Sequence, residues 1–410
     1  MSWTPKLTVT IAGTDFTGAT VDEVQLRRGR QTVYQNVQAG VASIQLIDVN
    51  GTGIVPTVAD PVTVKLEDTT GNDVTLFVGE VSDFSTRIYD AGIRNQPAAQ
   101  IRVTAVSNLA KIQRRQVFPE GRPVEKDGER VFDILIDALA VQWQDLQGTW
   151  DDLGDVTWET IDPAIDFTIV DTPGLFDIVA LNPRPEGYEA GNIAGEAGLS
   201  TGGLLYETAD GRIGYADQTR RRANAIAGYK QIPAHVLQAN QVATTSQAAD
   251  LANVVIVRYD GGEITLEEPA SVEQFGRLVQ RLQTELVEEA EATLFGQAYL
   301  EAHAVPQVNF EAAAIRLEQD LPAGLRDTLL SLEVNDAVEI DGLPPTLGLT
   351  TFAGFLEGVT ITIDPFRASY ELTLSAANLS IGPLFWAALP AIAWQDLPAD
   401  LQWQNFGSLQ

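Results

Sequence analysis

The sequence predicts a mainly β protein with minor α: two β-barrel or β-sandwich domains of similar design with an inserted α+β middle region. Three observations carry this. Short alternating runs of apolar and polar residues recur over residues 5–109 and again from about 236, broken by turn-forming residues as in proteins of many short strands. Between these stretches the apolar spacing changes to that of a helix. A phrase in the first β stretch also returns in the last.

In the first stretch, residues 7–11, 43–47, 62–66 and 101–105 alternate as half-buried strands do. Turns are marked by Asn50-Gly51, Gly53, Pro56, Pro61 and Gly71-Asn72-Asp73. Residues 110–130 then mix both signs of charge. A helix is expected next, because Val131, Ile134, Leu135, Ala138 and Leu139 share one face at the helical period. Residues 142–177 hold nine acidic residues and three Trp, with no Lys or Arg. Residues 204–208 and 212–216 flank Ala209-Asp210-Gly211 as a hairpin.

Beyond 236, residues 254–259 and 263–267 flank Asp260-Gly261-Gly262, a second hairpin signal. Residues 285–303 form the best helical pattern, with Leu286, Ala290, Leu294 and Ala298 every four residues and Pro306 beyond the end. Strands are expected again over 312–317, 337–340, 358–363 and 369–374. The expected domains are therefore 1–112, an N-terminal β domain; 113–235, the middle α+β region with its Trp-rich segment; 236–382, a C-terminal β domain carrying helix 285–303; and 383–410, a Trp-rich C-terminal arm.

Two internal similarities stand out. Residues 75–81, with Phe77, Gly79 and Val81, resemble residues 352–359, with Phe355, Gly358 and Val359; each is preceded by a short apolar strand near Val64 or Val338. This reads as a duplication of one β domain, split by the middle region. The second similarity is a Trp-polar-polar-apolar motif at Trp143, Trp150, Trp394 and Trp403, in the last two cases with Leu397 and Phe406 as the apolar member. With Trp158 and Trp386, six of the seven Trp fall in two segments. Short segments broken by Gly and Pro cannot bury six indoles alone, so these residues are expected to grip another chain; ordinary core packing is the alternative.

Composition narrows the chemistry. The chain of 410 residues has 26 Lys plus Arg against 56 Asp plus Glu, a net charge of −30, which repels phosphate backbones. It has no Cys and two His, His235 and His303, so thiolate chemistry is excluded and imidazole chemistry is short of material. His303 is explained by the end of its helix, where the dipole favours a cation. Asp171-Thr172-Pro173-Gly174 resembles a switch motif of GTP-binding proteins, but no phosphate-binding Gly-Lys loop accompanies it, and a Pro-Gly turn is expected. Gly195, Gly198, Gly202 and Gly203 read as loop or hairpin glycines. Acidic pairs such as Glu267-Glu268 and Asp151-Asp152 are too common here to single one out for glycoside hydrolysis, and none has calcium-loop spacing. No catalytic residue, metal site or cofactor is expected. The start of the chain predicts no signal peptide, and the longest apolar stretch, 385–394, is too short for a membrane anchor.

Several phrases, in order, resemble minor tail proteins of long-tailed bacteriophages, of the tail-hub family related in fold to the baseplate hub of contractile-tailed phages. They are Leu26-Arg27-Arg28-Gly29-Arg30, residues 38–46, residues 76–81, residues 203–213, and residues 332–338 with Leu343-Pro344. The likeness runs over residues 1–380; where the family often has Trp in the last strand, this chain has Tyr370.

The resemblance implies two tail-tube-like β domains per chain and a homotrimer forming a pseudo-sixfold ring at the virion tail tip. It implies partners as well: a distal tail protein or tail tube above, the tape measure protein, and fibre or spike proteins below, with DNA passing through the lumen without specific binding. A strongly acidic chain would give that lumen a negative wall. The protein would be made in the host bacterial cytoplasm and act by assembly, not as an enzyme. The interface residues expected are Trp143, Trp150, Trp158, Trp386, Trp394, Trp403, Leu397 and Phe406. The alternative function is binding of host cell-wall glycans through the Trp segments.

Overall fold

Period-two alternation builds most of the molecule. The computed structural model describes residues 3–17, 20–30, 37–48, 56–90, 97–118, 121–139, 168–245, 250–306, 308–347 and 349–377. The N-terminal stretch gives β1 (Leu7–Ile11), β2 (Thr14–Thr17), β3 (Val21–Gly29), β4 (Gln38–Asp48), β5 (Pro61–Glu67), β6 (Asp73–Asp90) and β7 (Pro97–Ser107). In β5, for example, Val62, Val64 and Leu66 are buried while Thr63 and Lys65 between them are not.

The middle stretch holds α1 (Asn108–Arg114), β8 (Gln116–Val117), β9 (Glu125–Lys126), α2 (Asp127–Leu139), β10 (Thr168–Val170), β11 (Asp177–Ile178) and β12 (Tyr188–Glu189). It continues with α3 (Ala190–Thr201), the hairpin β13 (Leu204–Glu207) and β14 (Ile213–Ala216), and α4 (Arg220–Ala227). The expected apolar face of α2 is the buried one: Val131, Ile134, Leu135 and Ala138 face the core of this region. The glycines expected in a loop are not all there. Gly195 and Gly198 lie inside α3, a Cβ on Gly198 would lie 3.2 Å from the Gly203 carbonyl oxygen, and Gly202 ends the helix in the left-handed conformation at φ 74°.

The C-terminal stretch gives β15 (Lys230–Pro233), β16 (Leu237–Thr245), β17 (Val254–Tyr259), β18 (Gly262–Glu267), α5 (Pro269–Phe275), β19 (Val279–Gln283) and α6 (Glu289–His303). It ends with β20 (Asn309–Arg316), α7 (Leu325–Leu330), β21 (Ala337–Asp341), β22 (Thr351–Ile363) and β23 (Ala368–Ala376). Helix α6 starts four residues later than expected. Leu286 is instead held extended: Val179 N–H donates to the Glu285 carbonyl and Val287 N–H to the Asp177 carbonyl. The buried stripe of α6 consequently runs through Ala292, Phe295 and Leu300, not Ala290 and Ala298.

Thirteen strands form one sheet in the order β16-β20-β23-β22-β3-β4-β7-β6-β5-β1-β2, with β21 on β22 and β15 on β21. One core runs under both halves, from Val9 and Ile44 to Ile361 and Leu372. The same strand order occurs twice, as β3-β4-β7-β6-β5 and as β16-β20-β23-β22-β21. Register fixes the match. Gly79 pairs with Val62 and Ser107; Gly354 pairs with Val338 and Ala376. A Cβ on either glycine would strike the ring of the Phe two residues before it, Phe77 or Phe352, at 2.8 or 2.6 Å. Each strand then bulges at the same step, between Val81 and Asp83 or between Leu356 and Gly358. The counterpart of Gly79 is thus Gly354, four residues before the Gly358 of the sequence pattern.

The joint between the two β units

Strand β22 changes neighbour halfway along one edge. Thr351 to Phe355 pair with β21; Gly358 to Ile363 pair with β3, which belongs to the other unit. Gly29 makes that approach possible. Its φ is +88°, and a Cβ there would lie 2.2 Å from the Glu357 carbonyl oxygen.

Glu357 occupies the bulge at the switch and is 1% exposed. Arg221 of α4 donates to both of its carboxylate oxygens, at 2.6 and 2.9 Å. Arg30 Nε donates to Oε2 at 2.7 Å, and Ser375 Oγ of β23 to Oε1 at 2.5 Å. Burial alone would raise the Glu357 pKa, but the Arg221 and Arg30 guanidiniums overcome it and hold the carboxyl well below the usual range. Burial in turn lowers the Arg30 pKa, with Glu357 opposing. A second carboxylate docks the middle region beside it. Glu333 accepts from Arg28 Nη1 at 2.8 Å and from the Ala209 N–H, in the turn of the β13–β14 hairpin, at 2.9 Å.

Two further carboxylates fasten the middle region. Glu207 accepts the Asn108 N–H at 2.9 Å, and burial pushes its pKa up to about 7. Asp127, at the start of α2, accepts the Leu175 and Phe176 N–H groups at 2.8 and 3.1 Å and the Tyr215 hydroxyl at 2.5 Å. The Asp171–Gly174 motif is the expected turn, and it closes on α2: Glu129 N–H donates to the Pro173 carbonyl at 3.0 Å, and a Cβ on Gly174 would lie 2.3 Å from Gly128 N. That space is filled by protein. His303 stacks on Tyr299 with ring centroids 3.9 Å apart, and its Nδ1 lies 2.8 Å from the Tyr299 carbonyl oxygen.

The eight expected interface residues, Trp143, Trp150, Trp158, Trp386, Trp394, Leu397, Trp403 and Phe406, lie outside the described residues. Among the described residues no group of three His, Asp or Glu is placed to hold a metal ion, and no helix is long and apolar enough to cross a membrane. Sequence reasoning missed the Glu357 joint. Its signal was a lone acid inside the apolar run of residues 352–363 and three Arg in residues 27–30.

No protein-family model and no curated protein sequence matches the chain. Its fold is that of phage tail proteins. The 43 kDa tail protein of prophage MuSo2 from Shewanella oneidensis superposes with a TM-score of 0.58 at 11% identity, covering 92% of this chain and 100% of that one. The tail protein from Neisseria meningitidis MC58 gives 0.57 at 8% identity, covering 92% and 99%.

Proposed function

We propose that the chain is a structural subunit of a phage tail tip, a hub that assembles as a homotrimeric ring. The observation that carries this is the doubled strand order with matching register. Three chains of two equivalent units make a pseudo-sixfold collar, which can meet a sixfold tube on one side and threefold fibres on the other. Residues 1–112 and 236–382 are the two ring units in this proposal, 113–235 the body between them, and 383–410 the arm whose Trp residues grip a neighbouring tail protein. The protein acts by assembly, passing tape measure protein and DNA through its lumen on infection.

The sheet face turned away from the core mixes Arg27, Arg87, Arg102 and Arg316 with Asp22, Glu23, Asp83 and Glu371. This supports a channel wall of mixed charge, in place of the uniformly negative wall that the net charge suggests. Such a wall neither grips nor strongly repels a polyanion. Glycan binding rests on the Trp segments alone, and nothing in the described residues favours it. Light scattering with averaged electron micrographs tests the proposal: three-chain rings with a central hole are expected, and a monomer at every concentration would refute it.

A further inference from the structure

We propose that the far end of β6, residues 85–88, pairs antiparallel with residues 242–245 of β16 in a second copy, with Ile88 opposite Val242. The chain already contains one joint of this kind. In it the outer half of β22 takes β3, the first strand of the other unit, with Ile363 opposite Val24. By register, β6 is the counterpart of β22, and Ile88 of Ile363: Ile88 pairs with Ala99 as Ile363 pairs with Ala368, each six residues past its bulge.

The partner strand follows from the same bookkeeping. Val103 and Leu372 are counterparts, and they pair with Ile44 and Ala313, which pair in turn with Val24 and Val242. So Val242 stands where Val24 stands. Among the described residues no strand covers the outer edge of β16 or that edge of β6.

Burial points the same way. Ile363 is fully buried, whereas Ile88 is 71% exposed although alternation turns it to the core side. Ile361 is buried and its counterpart Thr86 is exposed. Unit one thus lacks the neighbour that unit two has within the chain, and only another unit two has the fitting edge. Such a contact is head-to-tail, so it must close into a ring or run on as a filament. It also differs from the internal joint: Ser82 replaces Glu357 at the bulge, leaving backbone pairing and apolar contact to hold the copies.

The number of copies rests on the ring proposal; the joint itself does not. Seven strand steps of about 4.8 Å separate β6 from β16 within one chain, an arc of roughly 34 Å, far beyond disulfide reach. The chain has no Cys of its own. The full chain carrying both Ile88→Cys and Val242→Cys, mildly oxidised and run without reductant, is expected to link between chains up to a three-chain species. An Asp83→Cys, Val242→Cys pair, out of register by about 17 Å over five regular residues of β6, is expected to stay unlinked. A ladder continuing past three chains would support the joint and overturn the trimer. A trimer by light scattering without linkage above the single-Cys variants would overturn the joint and leave the ring. A monomer without linkage would overturn both. Ile88→Asp gives a second readout that leaves the core untouched: loss of assembly with an unchanged melting temperature is expected, and unchanged assembly would refute the joint.

Discussion

Arg30 and Glu357, 327 residues apart in sequence, meet at 2.7 Å in the seam between the two β units. Their contact is buried, and the same carboxylate also collects Arg221 and Ser375, so one side chain ties β3, β22, β23 and α4 together. Removing one partner of such a set leaves uncompensated charge out of water, which costs far more than the set contributes over an apolar replacement.

Glu357→Ala should therefore destabilise the chain by about 3–5 kcal/mol in urea unfolding. Because its folded pKa lies below the ordinary value, the carboxylate's stabilisation is present above about pH 4.5 and is lost as pH falls below that. The variant should accordingly lose part of the wild type's acid sensitivity; an unchanged midpoint and acid profile would show that the seam does not depend on this residue.

Glu207 gives the opposite pH dependence. Its folded pKa of about 7 exceeds the ordinary 4.5, so the folded state favours the protonated form. The associated stability is complete below 4.5 and declines until pH passes about 7, a difference on the order of 3 kcal/mol. Glu207→Gln keeps an acceptor for the Asn108 N–H without the charge. It should be more stable than wild type at pH 8 and close to it at pH 4.5, and equal stability at both values would contradict the assignment.

The duplication makes a paired forecast. A Cβ on Gly79 would lie 2.3 Å from the Val106 carbonyl oxygen, and one on Gly354 would lie 2.1 Å from that of Ser375. Gly79→Ala and Gly354→Ala should each cost about 1–3 kcal/mol, by the same steric route. Thermal melts of the two single variants test it; a harmless substitution at either site would break the equivalence.

The C-terminal arm is separable in the proposed function. Removing residues 383–410 should leave the melting temperature and ring formation unchanged and abolish co-purification with a neighbouring tail protein. Assembly of complete tails from the shortened chain would remove the arm, and with it Trp386, Trp394 and Trp403, from the interface.

Local pattern determined much of this protein. Alternation over residues 62–66 or 101–105 dictates half-buried strands, and Asp260-Gly261-Gly262 or Ala209-Asp210-Gly211 dictates a tight reversal, because both depend on neighbours in the chain. The fold class and the repeated phrase were legible for the same reason. Tertiary structure decided the rest. The true start of α6 depends on Leu286 pairing beside Ile178. The match of Gly79 with Gly354 depends on strand register, which a four-residue shift in sequence conceals. The Glu357 seam joins residues 30, 221, 357 and 375, and no spacing along the chain announces a carboxylate whose partners arrive from three other elements. Periodicity reports which side of an element is apolar; only the packed sheet decides which edges and charges meet.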